Sequence, residues 1–295
     1  MPHGSCSMRL LPRVFLISGL AIASTIASAA PLPGTHDLRV MSFNVRYGEA
    51  DDGINAWPKR RDLMVRVIRQ EHPDILGTQE LLSPQADFLQ QHLPGYTWFG
   101  MGRNGNEINE NGNEHMGVFY DKTRLEVLES GNFWFSDTPD KPGSIGPGLL
   151  MPRMVTWAKF QDRRSGKQFY YYDTHFPYKD GKAAEATREW CAAKIRQRLA
   201  RLPTTLPFIL TGDFNTTPDS KTHASLTEVL HDARTSAPRH EGPEGTFHNF
   251  TGHADKRIDW ILYRGVTADD VRTITTHEGK VYPSDHFPVV ADFSW

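Results

Sequence analysis

LPFILTGDFNTTPDS occupies residues 206–220. Its apolar start reads as a buried strand, which stops at Gly212-Asp213-Phe214-Asn215 before Thr217-Pro218 turns the chain. Side chains alternate faces along a strand, so Asp213 and Asn215 point the same way while Phe214 packs behind them. A core strand that ends by aiming a carboxylate and a carboxamide together holds them on a rigid support, as a reaction site requires.

Several other strands end in the same manner. LRVMSFNVRY alternates and is rich in β-formers. After the loop EADDGINAWPKRR, Pro58 opens a helix with Leu63, Met64, Val67 and Ile68 on one face. His72-Pro73 ends that helix and DILGTQE comes next as a second buried strand. HMGVFYD, RLEVLESGNFWFS, RMVTWAKFQD and KQFYYYDTHF read as strands joined by turns such as residues 162–166. An amphipathic helix over residues 182–202 leads into the opening strand. RIDWILYR, a strand near VRTITTH and the terminal HFPVVADFSW complete the pattern. No repeat period or linker divides the chain, so residues 30–295 are expected to form one α/β domain.

Asn44, Glu80, His175, Asp213, Asn215, Asp259, Asp285 and His286 all fall at or beside the ends of these strands. Four carboxylates gathered at one sheet edge repel one another unless cations hold them. Oxygen donors of this kind suit a hard divalent ion, Mg²⁺ first and Mn²⁺ second. Zinc is disfavoured, because no HExxH is present and the histidines from His223 to His253 lie in Gly/Pro-rich sequence, where they are expected to be solvated.

Taken in order, Asn44, Glu80, His175, the GDFN of residues 212–215, Asp259 and the SDH of residues 284–286 resemble the endonuclease/exonuclease/phosphatase superfamily. The likeness runs from about residue 38 to the C-terminus, and SFNVRYG, GTQE, PRMVTWAKF and DTHF look most like secreted bacterial members near the carbon-catabolite-repressor-type deadenylases. The resemblance implies a four-layer sandwich, two mixed β-sheets face to face with helices on the outer faces. It also implies hydrolysis of a phosphoester with a divalent metal.

The resemblance carries a role to each residue. Glu80, Asn44 and Asp285 hold the metal. Asp213 positions or deprotonates the attacking water, and Asn215 holds that water or a phosphate oxygen. Asp259 fixes His286, whose imidazole meets developing negative charge, and His175 is the second imidazole at the phosphate. Glu114 in NEHMGVFY resembles a glutamate that orients such a histidine. Arg153 resembles an arginine that reaches the substrate phosphate, and with Asn44 and Glu114 it forms the expected substrate-binding set. The sequence departs from its relatives after His175, where Phe176-Pro177-Tyr178 stands in place of Asp-His, so the wall beside the phosphate differs.

Residues 1–29 read as an export signal: Arg9 and Arg13 precede the apolar VFLISGLAIASTI, and Ala27-Ser28-Ala29 supplies a cleavage pattern. The apolar run falls short of the roughly 20 residues needed to span a bilayer, so a periplasmic or secreted protein with no integral membrane association is expected. Loss of Arg9 and Arg13 takes the formal charge from −2 to −4, unlike a protein that grips polynucleotide by its phosphates alone. Cys6 leaves with the signal and Cys191 remains alone, so no internal disulfide braces the mature fold.

Three functions stay open at this point. One is a metal-dependent phosphodiesterase or nuclease, including a 3′ exoribonuclease on single-stranded nucleic acid. The second is a phosphomonoesterase on a small phosphorylated sugar or lipid product, and the third a non-catalytic metal-binding exported protein. In each case a monomer is expected. Lys59-Arg60-Arg61 is the densest basic cluster and is expected to face solvent on its helix.

Overall fold

The computed structural model describes residues 1–4, 36–106 and 112–295. The chain divides into Met1–Thr35 and His36–Trp295. Beyond residues 1–4, the segment read as an export signal lies outside the described residues. Every described helix and strand belongs to the second unit, and no described helix is long and apolar enough to cross a membrane.

In chain order the elements are β1 (Leu38–Asn44), α1 (Trp57–Glu71), β2 (Ile75–Leu81), α2 (Ser83–His92), β3 (Tyr96–Phe99), β4 (His115–Asp121), β5 (Leu125–Trp134), β6 (Met154–Asp162), β7 (Gln168–His175) and α3 (Lys182–Leu199). Then come β8 (Phe208–Asp213), α4 (Lys221–Thr227), β9 (His231–Asp232), α5 (Ala233–Ser236), β10 (Arg239–Glu241), β11 (Asp259–Arg264), β12 (Thr267–Thr273) and β13 (Val289–Ser294). One sheet has the order β10-β12-β13-β1-β2-β4-β3 and the other β5-β6-β7-β8-β11-β9. Each sheet contains a parallel pair made by a helical crossover: β1 and β2 through α1, and β7 and β8 through α3.

Three apolar clusters separate four layers. Val40, Ile75 and Val118 of the first sheet meet Phe160, Tyr171, Ile209 and Ile261 of the second. Leu63, Met64 and Val67 of α1 and Leu89 of α2 cover the outer face of the first sheet at Met41, Phe43 and Leu76. Cys191, Ile195 and Leu199 of α3 and Leu226 of α4 cover the second at Tyr172, Phe208, Leu210 and Leu262. Each fully buried large side chain contributes about 1.5–3 kcal/mol. The expected sandwich of two mixed sheets with outer helices is therefore the fold.

Most expected elements stand where the alternation put them, with three differences. The helix predicted over residues 182–202 ends at Leu199. The strand near VRTITTH begins earlier, at Thr267, because its pairing with β13 runs through a register shift between Ala268 and Asp270. The short edge strand β3 and the helix α2 carry too little periodicity to be read from sequence.

The expectation for Arg60 is corrected. Its side chain is fully buried, with the guanidinium 5.1 Å from the Trp57 ring. Nη1 donates to Val45 O at 2.8 Å and Pro283 O at 2.7 Å, and Nη2 donates to Arg46 O at 2.9 Å. Burial pulls its pKa down to about 10. This one arginine ties α1 to the segments that lie after β1 and before Asp285. Arg60→Met is expected to cost about 3 kcal/mol, since three carbonyls lose a charged donor. Urea unfolding would measure it, and an unmoved midpoint would mean that water replaces those bonds.

Candidate active site

The pairing register assembles one side of the site. His175 lies opposite Asp213 on the parallel neighbour, and Asp259 lies opposite Asp213 on the antiparallel one. Along β8, Ile209 belongs to the core between the sheets, so by alternation Thr211 and Asp213 face that way too. Phe208 and Leu210 face α3, as does Phe214, stacked on Trp260 at 4.4 Å. Each central strand thus carries an inward column that starts apolar, passes through a polar layer and ends in a charged group.

The polar layer is Tyr171, Thr211, Asp173 and Gln79. Tyr171 Oη lies 2.6 Å from Thr211 Oγ1, which donates to Asp173 Oδ1 at 2.6 Å, and Gln79 Nε2 donates to the same oxygen at 2.7 Å. Gly77 makes room for it, since a Cβ there would sit 2.3 Å from Tyr171 Oη and 2.4 Å from Asp173 Oδ1. Burial raises the Asp173 pKa well above the carboxylate range. Asp173 was not among the sequence candidates, although it lies two residues before His175 on the same face.

Glu80 comes from the other sheet and breaks its strand's alternation. Ile75 faces the central core and Leu76 faces α1, yet Leu81 also faces the outer layer. The phase slips at a bulge, where pairing with β4 shifts between Thr78 and Leu81 and Glu80 takes a left-handed φ of 61°. The extra residue turns the carboxylate into the site. Its Oε2 accepts from Tyr47 N at 2.8 Å and its Oε1 from Asn44 Nδ2 at 3.1 Å. Arg46 and Asn215, with φ of 57° and 52°, also hold left-handed backbone around the site.

Asn44 Nδ2 also donates to Asp213 Oδ2 at 3.0 Å, while its oxygen accepts from Arg46 N at 2.9 Å. Asn215 N donates to Asp213 Oδ1 at 2.9 Å, and its carboxamide donates to Phe176 O at 3.1 Å. Ser284 Oγ donates to Asn44 O at 2.6 Å, carrying the 284–286 segment to the end of β1. Asp285 faces Arg46 at 3.6 Å.

Two imidazoles flank Asp213. His286 Nε2 is 3.9 Å and His175 Nε2 3.5 Å from Asp213 Oδ2. Their charge states diverge. Burial opposes charge on His286, but the Asp259 carboxylate, 2.9 Å from its Nδ1, outweighs that and raises the pKa well above the usual value. Burial, and then Arg153 and Arg103, drive His175 well below it. Burial followed by Asp259 raises Asp213 to about 7. Glu80 stays low, because His286, Asn44, Tyr47 N–H and Arg46 together overcome its burial.

Glu114 sits 3.8 Å from His175 Nδ1, beyond hydrogen-bond reach. Its Oε2 is 2.8 Å from Arg103 and 4.0 Å from Arg153. Arg103, from a loop with no periodic signal, was missed by sequence reasoning. The loop histidines were expected to be solvated, and two are not. His248 is buried and stacked on Phe287 at 3.9 Å, and burial lowers its pKa to about 4. His223 Nε2 is 2.9 Å from Asp232.

Glu80, His175, Asp213, Asn215, Asp285 and His286 line one cavity of about 620 Å³ together with Arg46, Arg103, Glu114 and Arg153. Asn44 and Asp259 support it from beneath through Asp213 and His286. The donor atoms gather in two groups, each within 4.8 Å, Glu80 with His175 and Asp213, and Asp213 with Asp259 and His286; with Asp285 lining the same cavity, the carboxylate oxygens fit a hard cation.

Comparison with known proteins agrees with this geometry. A solved endonuclease/exonuclease/phosphatase from Bacteroides vulgatus superposes with a TM-score of 0.80 at 32% identity, covering 87% of this chain and 98% of that one. A mannosyl-6-phosphatase from Bacteroides thetaiotaomicron gives 0.79 at 29% identity, covering 88% and 100%. Human nocturnin is 25% identical in sequence, over 89% of this chain and 67% of the relative. The model of the Endonuclease/Exonuclease/phosphatase family matches residues 41–286; as that span holds every site residue from Asn44 to His286, the chain belongs to this family.

Proposed function

We propose that the protein is an exported, divalent-metal-dependent hydrolase that releases phosphate from a small phosphorylated sugar or comparable monoester. The observation that carries the chemistry is the trio at the strand ends: a neutral His175 and a charged His286 on either side of an Asp213 whose carboxyl ionises near neutrality. Two titratable groups pushed apart by their surroundings, with a base poised near working pH, suit proton transfer from water.

In this reading Asp213 takes a proton from the attacking water as its oxygen bonds to phosphorus. The ester P–O bond breaks on the opposite side, and the departing oxygen leaves as the alcohol after taking a proton from solvent. His286, held charged by Asp259, faces the charge that grows on the phosphoryl oxygens. Arg153 and His175 meet the phosphate from the side, with Asn215 beside the water. Arg153 offers a buried Nε and Nη1 with no protein hydrogen-bond partner. Glu80 and Asp285, with Asn44 beside them, would hold Mg²⁺ or Mn²⁺, which supplies Lewis-acid neutralisation of phosphoryl charge when bound.

The monoester reading draws support from the mannosyl-6-phosphatase, a solved structure of the same fold whose identity over nearly the whole chain is 29%. Nuclease action on single-stranded nucleic acid is the second reading, supported by the resemblance of SFNVRYG, GTQE and DTHF to deadenylase-like sequences. The acidic balance of the chain weighs against a long polyanion. Incubating the purified protein with hexose 6-phosphates and with single-stranded RNA, in Mg²⁺ or EDTA, separates the two. Phosphate release from the sugar ester that EDTA stops is the expected result. Shortened RNA with intact sugar phosphate would select the nuclease, and metal binding without turnover of either would leave the binding protein. Export is checked by N-terminal sequencing of periplasmic or secreted material, which should begin near Ala30.

A further inference from the structure

The catalytic cavity continues into a recess of about 200 Å³, and the two share Met151, Arg153, Tyr178 and Asp180. The recess is walled by residues 148–151, by residues 177–180 after β7, and by the first turns of α3. Asp213 and His286 line only the larger cavity. The shared Arg153 thus joins the cavity that holds Asp213 and His286 to the recess, so a phosphate at Arg153 would have the recess beside it.

The wall formed by residues 177–180 is fixed from behind and free in front. Arg188, itself buried, donates to Pro177 O at 3.0 Å and Lys179 O at 2.7 Å, and to Glu185 at 3.1 Å. Glu185 in turn accepts from Thr222 Oγ1 at 2.9 Å. Phe176 anchors the start of the segment against Phe135 and Phe214. The backbone is thus pre-set, yet Tyr178 is 54% exposed and Leu150 at the rim is 64% exposed. Among the described residues, neither the Tyr178 hydroxyl nor the Asp180 carboxylate has a hydrogen-bond or ion-pair partner, although their backbone is held.

We infer that this recess is the leaving-group subsite and that it takes one hydroxylated ring, the sugar of a phosphorylated monosaccharide. Tyr178, Leu150 and Met151 offer apolar surface to the C–H face of the ring, and Asp180 offers an acceptor to its hydroxyls. The first turns of α3 wall one side, and at about 200 Å³ the recess is much smaller than the 620 Å³ cavity it adjoins, in keeping with a single terminal group. The inference rests on the phosphoester reading of the adjoining cavity.

The test compares kcat/KM for a hexose 6-phosphate with kcat/KM for the acyclic glycerol 3-phosphate. Tyr178→Ala should lower that selectivity ratio about 10-fold, mainly through the KM for the hexose ester, and Tyr178→Phe should restore it. Asp180→Asn should lower it several-fold. An unmoved ratio in Tyr178→Ala and Asp180→Asn, with melting temperatures as in the wild type, would overturn the subsite. Should the wild type hydrolyse neither ester, the monoester reading fails instead, and calorimetry with the free hexose then judges the recess. Binding that Tyr178→Ala weakens about 10-fold upholds it; no binding to the wild type overturns it.

Discussion

Asp213→Asn lowers kcat by about 10³-fold and leaves the protein folded. The substitution keeps the shape of the side chain and the turn that Asp213 Oδ1 makes with Asn215 N at 2.9 Å. It removes the one group flanked by both imidazoles that can accept a proton from water. The pH dependence tells this role from simple positioning. Burial and the neighbouring Asp259 carboxylate hold the acid form of Asp213 to about 7, so the ionised form is lost as pH falls through that value. Wild-type activity should fall with it, and a cation bound alongside would move that limb to lower pH because positive charge favours the carboxylate. The residual rate of Asp213→Asn should lack this limb. A loss below 10-fold, or a residual rate with the same acid limb, would remove Asp213 as the base. Stability should change little, since an amide is easier to bury than a carboxylate but its nitrogen would face Asn44 Nδ2, which donates to Oδ2 at 3.0 Å.

How much of this was legible before the structure depends on which rule each residue obeys. Asp213, His175 and Asp259 obey strand alternation on adjacent central strands, so sequence could place all three on one face, and the register makes them neighbours. Phe214 behind them was equally readable. Asp173 obeys the same alternation and was within reach of the argument. Glu80 disobeys it: only the bulge and its left-handed backbone carry the carboxylate into the cavity, and nothing in the period of ILGTQEL announces a phase slip. Its assignment came from the family resemblance, not from pattern. Arg60 misled for a related reason. A run of three basic residues on a helix reads as a solvated face, but three backbone carbonyls from distant segments wait for its guanidinium, and those are set by tertiary structure alone. Arg103 and the wall at residues 177–180 lie on loops, where side-chain direction has no sequence rule.

His286→Ala lowers kcat by about 10³-fold, close to 4 kcal/mol of transition-state stabilisation. Asp259→Ala should come close to it, and the double variant should be little worse than either. The non-additivity arises from how the charge is made. Burial is the largest influence on His286 and favours the neutral ring; the Asp259 carboxylate at 2.9 Å is what reverses it. Without Asp259 the imidazole loses both its orienting hydrogen bond and the partner that keeps it charged, and a neutral ring gives the phosphoryl oxygens much less than a cation does in a low-dielectric site. Removing the ring afterwards takes away little more. NMR titration supplies a readout that lost packing alone would not move: the His286 ring should titrate well above the ordinary histidine range in the wild type and below it in Asp259→Ala. Multiplying losses in the double variant, or an unshifted His286 titration, would mean that Asp259 acts on Asp213 directly, through the like charge that lifts its pKa, and not through the imidazole.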